Sequence, residues 1–482
     1  MLGQSLPEYI FIRISIAGLR LIAPASIAYL ASSWYAGEFL WSRTLGVYAV
    51  VEALFCFLVY FPRRVRMQQM ASHPPLMSPA QRRELFDKCV QSMTSTSTAG
   101  WFTSRKGSRV RRGNAMDWLL WGLFSTHSGE MLQEWEEELD YYASVMGGFI
   151  GYDLDHGSNP EMQCLRLTLD PVVMVHRPFI WYMIVGIVDT LTSGGLLFLG
   201  FRHYNTQKWF HLFPPRPLHA LFSNTSPDPD IPYWYRPHRS TTKLPILFIH
   251  GIGIGLYPYR PFFSELIKQD PDVGILAIEI LPVSMHMTSP PLSREGMCAA
   301  IARILDAHNL PRVVVASHSY GTVITAHLHH SPTFAPRIAG TLLVDPIPFL
   351  LHHPAVAFNF VYRTPREANE WQLWYFASRD ADIARALARH FFWFENILFK
   401  DEIEGRRFAV SLAGRDQIVD AKEVRRYLTG EEGGNGKWKD GNLEVLYWQD
   451  LDHATVFDTK ERRRPLIEIM GKFVRSEDTF VT

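Results

Sequence analysis

The sequence has few cysteines and no net charge, and each of these shortages excludes a class of protein. Only four of its 482 residues are cysteines, and they are far apart: Cys56, Cys89, Cys164 and Cys298. A disulfide-stapled secreted fold is therefore disfavoured, and no zinc or redox motif is indicated, because no CxxC spacing occurs. The 48 basic and 48 acidic side chains cancel, so the charge gives no support to a nucleic-acid partner, and we expect none.

The composition instead favours a large globular or membrane-associated protein. With 32 glycines and 31 prolines, the chain lacks the composition of a low-complexity or collagen-like repeat. Apolar residues make up 47% of the chain and aromatic residues 13%, which fits a large core or a membrane interface. The length predicts roughly two to four domains.

Three segments are apolar enough to interact with lipid: residues 10–31, 45–61 and 179–201. A membrane-spanning helix needs about 20 apolar residues, and an ionised side chain near its middle costs about 3 kcal/mol. The first segment contains Arg13 and Arg20, the second Glu52, and the third Asp189. We therefore expect a membrane-associated protein, multi-pass if the segments span the bilayer. Helices that lie in the membrane interface are the alternative that the sequence leaves open.

The charged residues in and beside these segments suggest how they pair and orient. A helical hairpin of the first two segments would allow Arg13 or Arg20 to pair with Glu52, which lowers the cost of burying both charges. The basic stretch Arg63–Arg66 follows the second segment and is typical of a cytosolic flank. The side of the membrane that the C-terminal half faces depends on whether the third segment also spans, and the sequence does not decide this.

The chain after the second apolar segment is predicted to be helical. Ser78 is an N-cap hydroxyl, Pro79 takes the first helical position and Gln81 completes a capping box, so a helix should run to about Cys89. Glu130–Tyr142 is acidic and aromatic at helical spacing, which predicts a second, partly exposed helix.

Two segments with little helical character complete this middle region. Thr94–Gly113 contains Arg105 and Lys106 and is predicted to be a solvated loop, with a lipid-headgroup patch as the alternative. Pro214–Pro237 carries seven prolines in 24 residues and is predicted to be a linker before a new domain. These features divide the chain into a membrane-associated region, a connecting region and a catalytic domain: residues 1–66, 67–240 and 241–475.

The most informative stretch is a β-branched strand that runs directly into a turn of small residues and then a helix. The strand Arg312–Ala316 is followed at once by Ser317-His318-Ser319-Tyr320-Gly321. This order is typical of a nucleophile elbow centred on Ser319, because its strained turn tolerates only small residues two positions before and after the nucleophile. Ser317 stands where glycine is usual and is a competing nucleophile. An elbow centred on Ser317 would put bulky Val315 at a restricted position, which favours Ser319.

Candidate acids and a candidate base follow the elbow in chain order. Asp416 comes just after the predicted strand Phe408–Ala413, Asp345 ends the strand before it, and Asp420 is a more distant third candidate. An acid just beyond the carboxyl end of a strand can be held against an imidazole, which favours Asp416 and keeps Asp345 as the alternative. His453 follows the last predicted strand and is the candidate general base.

Residues from about 240 to 475 resemble the α/β-hydrolase superfamily. The matching pieces, in chain order, are His250–Gly255, Ser317–Gly321, Gly414–Asp416 and Asp452-His453. The resemblance implies an α/β fold with a mostly parallel sheet of the eight-stranded type, flanking helices and a helical cap at about residues 350–404. It also implies an oxyanion hole made by the backbone N–H groups of Ile252 and Tyr320. The apolar, largely helical N-terminal region precedes this domain and is not explained by the resemblance.

The combined features predict a membrane-associated serine hydrolase. We expect Ser319, His453 and Asp416 to cleave a carboxylic ester or thioester of a hydrophobic, lipid-like substrate through an acyl-enzyme, without a metal or organic cofactor. The aromatic cap region favours an apolar substrate. One alternative is acyl transfer, condensation or cyclisation of a hydrophobic intermediate on the same fold. Another is a non-catalytic membrane scaffold, which the intact Ser–Asp–His order argues against.

Overall fold

The structure is a computed structural model that describes residues 2–104, 108–206, 208 and 211–475. Arg105 and Lys106 of the predicted basic loop lie outside these described residues. The described chain contains a ten-stranded sheet, a separate two-stranded sheet and helices on both sides of the large sheet.

The strands, numbered in chain order, are short and mostly buried. They are β1 (Phe102–Ser104), β2 (Met162–Cys164), β3 (Arg202–Asn205), β4 (Asn224–Thr225), β5 (Tyr233–Arg236), β6 (Ile246–Ile249), β7 (Ile275–Ile278), β8 (Val313–His318), β9 (Ile338–Val344), β10 (Phe408–Ala413), β11 (Gly436–Asp440) and β12 (Leu443–Trp448). The order in the large sheet is β11-β12-β10-β9-β8-β6-β7-β5-β3-β4. The run from β12 to β7 is parallel throughout, whereas β5 is antiparallel to both of its neighbours.

The central strands are continuous apolar runs because both faces of the sheet are covered. In β6, Leu247 and Ile249 belong to one hydrophobic core, while Ile246 and Phe248 belong to a second core on the opposite face. This alternation follows from the two-residue period of a strand. The mostly parallel sheet with flanking helices confirms the predicted fold class.

Helices make up a large part of the remaining described chain. They are α1 (Leu6–Ala36), α2 (Arg43–Phe55), α3 (Phe61–Arg66), α4 (Pro79–Val90), α5 (Ser95–Ala99), α6 (Arg112–Phe124), α7 (Glu136–Ile150), α8 (Phe179–Phe198), α9 (Pro217–Phe222), α10 (Arg260–Gln269), α11 (Arg294–Ala307), α12 (Tyr320–His330), α13 (Ala355–Ala357), α14 (Ala368–Leu373), α15 (Ala381–His390), α16 (Trp393–Asn396), α17 (Lys400–Ile403), α18 (Ala421–Thr429) and α19 (Lys460–Phe473). π-Helical turns at Cys56–Tyr60, Phe358–Tyr362 and Trp374–Ser378 join some of them. The helix predicted at Glu130–Tyr142 begins later, at Glu136, after two short 3₁₀ turns.

The proline-rich segment 214–237 differs from its prediction, because it is part of the sheet rather than a linker. It contains β4 and β5, and β5 pairs with β7 in the large sheet. The prolines at 232 and 237 lie just outside β5, so no ladder hydrogen bond is lost, and the aromatic strand Tyr233–Arg236 is buried at three of its four residues. The sheet therefore extends across the expected domain boundary at residue 241.

The three apolar segments are helical in the structure. They correspond to α1, to the continuous helical stretch Arg43–Arg66 and to α8, and by length and composition each could cross a membrane. Between β9 and β10, the predicted cap region at residues 350–404 contains the short helices α13 to α17.

The expected pairing of Glu52 with Arg13 or Arg20 is wrong. Glu52 is fully buried, and its Oε2 accepts the Phe179 N–H at 2.8 Å while its Oε1 lies 3.0 Å from His176 Nε2. Glu52 thus binds the first turn of α8, where the unpaired N–H groups of a helix favour a carboxylate. The Arg13 guanidinium instead lies over the Trp371 ring, 3.9 Å from its centroid.

Candidate active site

Ser319 occupies a strained turn between β8 and α12. Its backbone has φ 50° and ψ −122°, a combination that few non-glycine residues adopt. The turn is possible because residue 321 is glycine: a Cβ there would lie 2.3 Å from the carbonyl oxygen of Ile249. The neighbouring Ser317 lies within β8, and its Oγ accepts a hydrogen bond from the Thr325 hydroxyl at 2.7 Å. Ser319, and not Ser317, therefore stands at the apex of the elbow.

His453 lies between Ser319 and Asp416, on the loop that follows β12. Its Nδ1 is 2.7 Å from Asp416 Oδ2, and its Nε2 is 2.9 Å from Ser319 Oγ. A carboxylate can only accept hydrogen bonds, so Nδ1–H donates to Asp416, and when the ring is neutral Nε2 is the nitrogen that can accept the serine proton. The other carboxylate oxygen of Asp416 accepts the N–H groups of Ile418 and Val419 at 2.7 and 3.0 Å. These bonds fix the acid in the loop after β10.

The charges of His453 and Asp416 affect each other strongly because both side chains are buried. Burial is the largest single effect on the pKa of His453 and lowers it, but the hydrogen-bonded Asp416 carboxylate and the charges of Asp345 and Asp452 together outweigh burial and raise that pKa to about 9. Burial raises the pKa of Asp416 above its usual range, although the positive charge on His453 opposes this. The pair therefore holds the imidazole more basic than a free histidine.

Asp345, the alternative acid, lies beside the same histidine but does not bind its ring. Its Oδ1 accepts the Ala413 N–H at 3.1 Å and its Oδ2 accepts the Ala454 N–H at 2.7 Å. One oxygen or nitrogen from each of Asp345, Asp416 and His453 lies within 4.8 Å of the others. Burial raises the pKa of Asp345, but the nearby imidazoles of His318, whose Nε2 lies 3.8 Å from Oδ2, and of His453 outweigh burial, so the pKa of Asp345 is lowered.

The third acid candidate lies at a helix start. Asp420 is the exposed N-cap residue of α18, where its side chain accepts the Glu423 N–H at 3.2 Å. It thus has a capping role in the structure, whereas Asp416 contacts the imidazole.

The turn after β6 packs directly against the elbow. A Cβ at Gly251 would lie 2.8 Å from Ser319 Cβ and 2.9 Å from His318 Nδ1, so only glycine allows this approach. Ile252 follows this glycine, and Tyr320 is the first residue of α12, where N–H groups have no partner within the helix. Both residues expected to supply the oxyanion hole are thus carried by backbone that borders the serine.

A hydrogen-bonded tyrosine behind the elbow was not expected from the sequence. The Tyr259 hydroxyl accepts the Gly251 N–H at 3.2 Å and is hydrogen-bonded to His318 Nδ1 at 2.7 Å. It therefore connects the glycine turn to the residue before Ser319. Tyr259 belongs to a short 3₁₀ turn before α10, and no local pattern indicates that its hydroxyl reaches the elbow.

The aromatic residues of the cap region have mixed locations. Tyr375 is fully buried in a small core with Ile12 and Ile16 of α1, and Phe376 packs on Trp181 of α8 with the ring centroids 5.1 Å apart. Phe391 instead lies near the site, with its ring centroid 6.4 Å from that of Tyr320. Part of the aromatic cap therefore packs against the apolar helices α1 and α8.

These features define the class of protein. A mostly parallel sheet with a strained serine turn after β8, an acid after β10 and a histidine after β12 is an α/β-hydrolase fold. The fold that the sequence resemblance implies is confirmed, with ten strands in place of the eight-stranded type.

Comparisons with known proteins give only distant structural similarities. No family model and no curated protein matches the sequence. Among solved structures, the chain is similar to a carboxylesterase of the thaumarchaeon Nitrososphaera gargenis, with 14% identity, a TM-score of 0.36 and coverage of 50% of this chain and 95% of that one. A bacterial membrane phospholipase A shows 12% identity, a TM-score of 0.38 and coverage of 62% and 94%. Naproxen esterase from Bacillus subtilis shows 11% identity, a TM-score of 0.37 and coverage of 60% and 98%. At such low identity, the fold assignment rests on the strand order and the elbow of the chain itself.

Proposed function

We propose that this chain is a membrane-associated serine hydrolase that cleaves a carboxylic ester or thioester of a hydrophobic, lipid-like substrate. The observation that carries the proposal is the hydrogen-bonded series Ser319–His453–Asp416, with distances of 2.9 and 2.7 Å, at a strained strand-to-helix turn. Such a series activates a serine hydroxyl, because the imidazole can take its proton while the carboxylate stabilises the resulting cation.

The reaction would proceed through an acyl-enzyme. Ser319 Oγ attacks the acyl carbon as its proton moves to His453 Nε2, and the carbonyl electron pair moves to the oxygen. Collapse of this intermediate breaks the C–O or C–S bond, and His453 gives its proton to the leaving group. Water then attacks the acyl-serine, with His453 again taking and returning a proton, and the acid is released. No metal is needed for any of these steps.

The backbone N–H groups of Ile252 and Tyr320 would stabilise the oxyanion of each tetrahedral intermediate. Their support comes from the close packing of Gly251 on Ser319 and from the position of Tyr320 at the start of α12. The N-terminus of this 11-residue helix also favours developing negative charge beside the serine.

Support for membrane association comes from the inverted polarity of α8. Its exposed apolar side chains recur at helical spacing: Ile180, Ile184, Ile187, Leu191 and Phe198. Its one charged residue, Asp189, and the polar Thr192 and Ser193 are buried against the rest of the protein, whereas Thr190 is exposed. A helix in water places these two kinds of residue the other way round, so the exposed face suits the hydrocarbon of a bilayer.

A buried ionic network ties this helix to the catalytic domain. Arg216 donates to both oxygens of Asp189 at 3.0 and 3.1 Å, and His286 Nε2 lies 2.8 Å from the same carboxylate. Arg216 also binds Glu279, which directly follows β7 at the carboxyl edge of the sheet. Ser319 follows β8 at that same edge of the sheet. The attachment of a lipid-facing α8 to this edge favours a substrate that is taken from the membrane.

Labelling with a fluorophosphonate probe tests the proposal. We expect the full-length protein in membranes to be labelled, Ser319→Ala to lose the label, and Ser317→Ala to keep it as the matched control. Strong labelling of Ser319→Ala would contradict the assignment of the nucleophile. A wild-type protein that is folded but never labelled would favour the non-catalytic scaffold.

Acyl transfer, condensation or cyclisation is a second candidate, and burial of the site favours it. Ser319 is 4% exposed and His453 is 5% exposed, so bulk water has little access to the acyl-serine in this conformation. Product analysis with purified enzyme separates the candidates. Free acid as the main product supports hydrolysis, whereas a ring-closed product or an acyl product that forms only with an added alcohol supports the second candidate.

A further inference from the structure

One carboxylate joins the backbones of the two loops that carry Asp416 and His453. Asp452 Oδ1 accepts the N–H of His453 at 2.7 Å and the N–H of Gln417 at 3.1 Å. The first donor belongs to His453 itself, and the second belongs to the residue that directly follows Asp416. Any shift of the Asp452 side chain would therefore change the position of the histidine relative to its acid.

The other oxygen of this carboxylate is held by a helix of the cap region. Asn369 in α14 donates its side-chain N–H to Asp452 Oδ2 at 2.6 Å, and Asn369 is only 3% exposed. The amide orientation is fixed because Asn369 Oδ1 accepts the Glu370 N–H at 3.0 Å. The nitrogen must therefore point at Asp452.

The cap region also directly binds the loop that carries Asp416. Asn359 donates to the carbonyl oxygen of Ile418 at 3.0 Å, and Arg363 donates to the carbonyl oxygen of Gln417 at 2.9 Å. Arg363 is joined to α14 by an ion pair with Glu370 at 3.2 Å. These contacts make α14 and the chain before it a common support for both loops.

The same short helix contacts the first apolar helix. Gln372 accepts the Leu2 N–H through Oε1 at 2.9 Å, and Trp371 lies under the Arg13 guanidinium. Ala368 of α14 is packed in a core with Ile12 and Ile16 of α1. One six-residue helix thus touches an apolar N-terminal helix and, through Asn369, the catalytic loop.

We propose that Asn369 and Asp452 are positioning residues that hold His453 against Asp416 and Ser319 and connect this arrangement to α1 through α14. The inference rests on the proposed function, because it assigns a role in the same reaction. Neither residue needs to touch the substrate. Their contribution is geometric, and a displacement of about 1 Å in a catalytic group can cost roughly 10²-fold in turnover.

The pair allows a test by reciprocal exchange. Asn369→Asp puts a carboxylate against the Asp452 carboxylate, and Asp452→Asn puts an amide N–H against the Asn369 N–H. Either single change should lower kcat by about 10- to 100-fold with little change in KM. The double variant restores one donor and one acceptor, because the amide introduced at position 452 can donate to the carboxylate introduced at position 369. The oxygen of that amide can still accept the two backbone N–H groups, so the double variant should recover most of the lost turnover.

The measurements use the full-length protein in detergent, with ester turnover, the rate of fluorophosphonate labelling and the thermal midpoint recorded together. Gln372→Glu is the matched control, because it adds a charge to the same helix and still accepts the Leu2 N–H; it should keep wild-type kcat. Wild-type kcat in Asn369→Asp, or a double variant no better than both single variants, would overturn the positioning role. A wild-type protein that is not labelled at all overturns the proposed function instead, so the two failures are distinguishable.

Discussion

His453 Nε2 lies 2.9 Å from Ser319 Oγ although 134 residues separate the two in the sequence. The sheet makes this contact possible, because β8 and β12 run parallel and their carboxyl ends lie at the same edge. Asp416 follows β10, which lies next to β12, so it reaches the other ring nitrogen of the histidine. The geometry of the site thus follows from the strand order.

Asp416 and Asp345 have different hydrogen-bond partners, so replacing each carboxylate by an amide should lower kcat to a different extent. Asp416→Asn removes the acceptor of the imidazole N–H and should lower kcat by roughly 10⁴-fold, because the ring then adopts the wrong tautomer. Asp345→Asn should lower kcat much less, since Asp345 accepts hydrogen bonds from two backbone N–H groups and none from the His453 ring. Turnover of a soluble ester by both variants measures this, with Asp420→Asn as an exposed control. A larger loss in Asp345→Asn would make Asp345 the acid.

The raised pKa of His453 predicts alkaline activity. The imidazole accepts the serine proton only when it is neutral, and the pKa of His453 is raised to about 9 by Asp416. Below that pH the ring is protonated and inactive as a base, so kcat/KM should rise with pH through the neutral range. A pH profile of the wild-type enzyme checks the sign. A rate that falls between about pH 6 and pH 9 would contradict the assignment of His453 as the base.

Gly321 should be intolerant of a methyl group. In Gly321→Ala the new Cβ would meet the carbonyl oxygens of Ile249 and His250 at 2.3 and 2.7 Å, so the elbow would have to shift. We expect a loss of about 1–3 kcal/mol in unfolding free energy, as for other overpacked sites, together with loss of probe labelling. Gly148→Ala in α7 is the control, because nothing lies within 4 Å of its Cβ position. A labelled, fully stable Gly321→Ala would refute the tight packing of this turn.

The exposed face of α8 should control membrane retention. Ile187 is 60% exposed, and Ile187→Asp would place a carboxylate in hydrocarbon if that face contacts lipid. The variant should be extracted by alkaline carbonate more readily than wild type, whereas Lys439→Asp on β11 should behave as wild type. A wild-type protein that carbonate removes completely from membranes would contradict the proposed lipid contact.

The strands that carry the site could be predicted from the sequence because their signals are local. A continuous apolar run, a small-residue turn and an immediate helix indicate the elbow at Ser319 without any knowledge of the rest of the chain. The expected triad residues are within hydrogen-bond distance in the structure, and their catalytic roles remain predictions.

The features that the sequence did not indicate depend on contacts between distant segments. Asn369 and Asp452 are 83 residues apart and Glu52 and Phe179 are 127 apart, so neither pairing leaves a local pattern. The prolines around β5 led to the prediction of a linker. They lie beside the strand and not within it, so the strand still forms. Charge alone suggested an arginine partner for Glu52, whereas the Phe179 N–H at the start of α8 and the His176 ring bind it instead.

Mass spectrometry of the protein after reaction with a fluorophosphonate tests the central claim most directly. The account predicts one phosphonylated residue, Ser319, in the peptide that contains Ser317–Gly321, and no such adduct in His453→Ala. An adduct on Ser317, on another serine, or on no residue of a folded wild-type protein would contradict it.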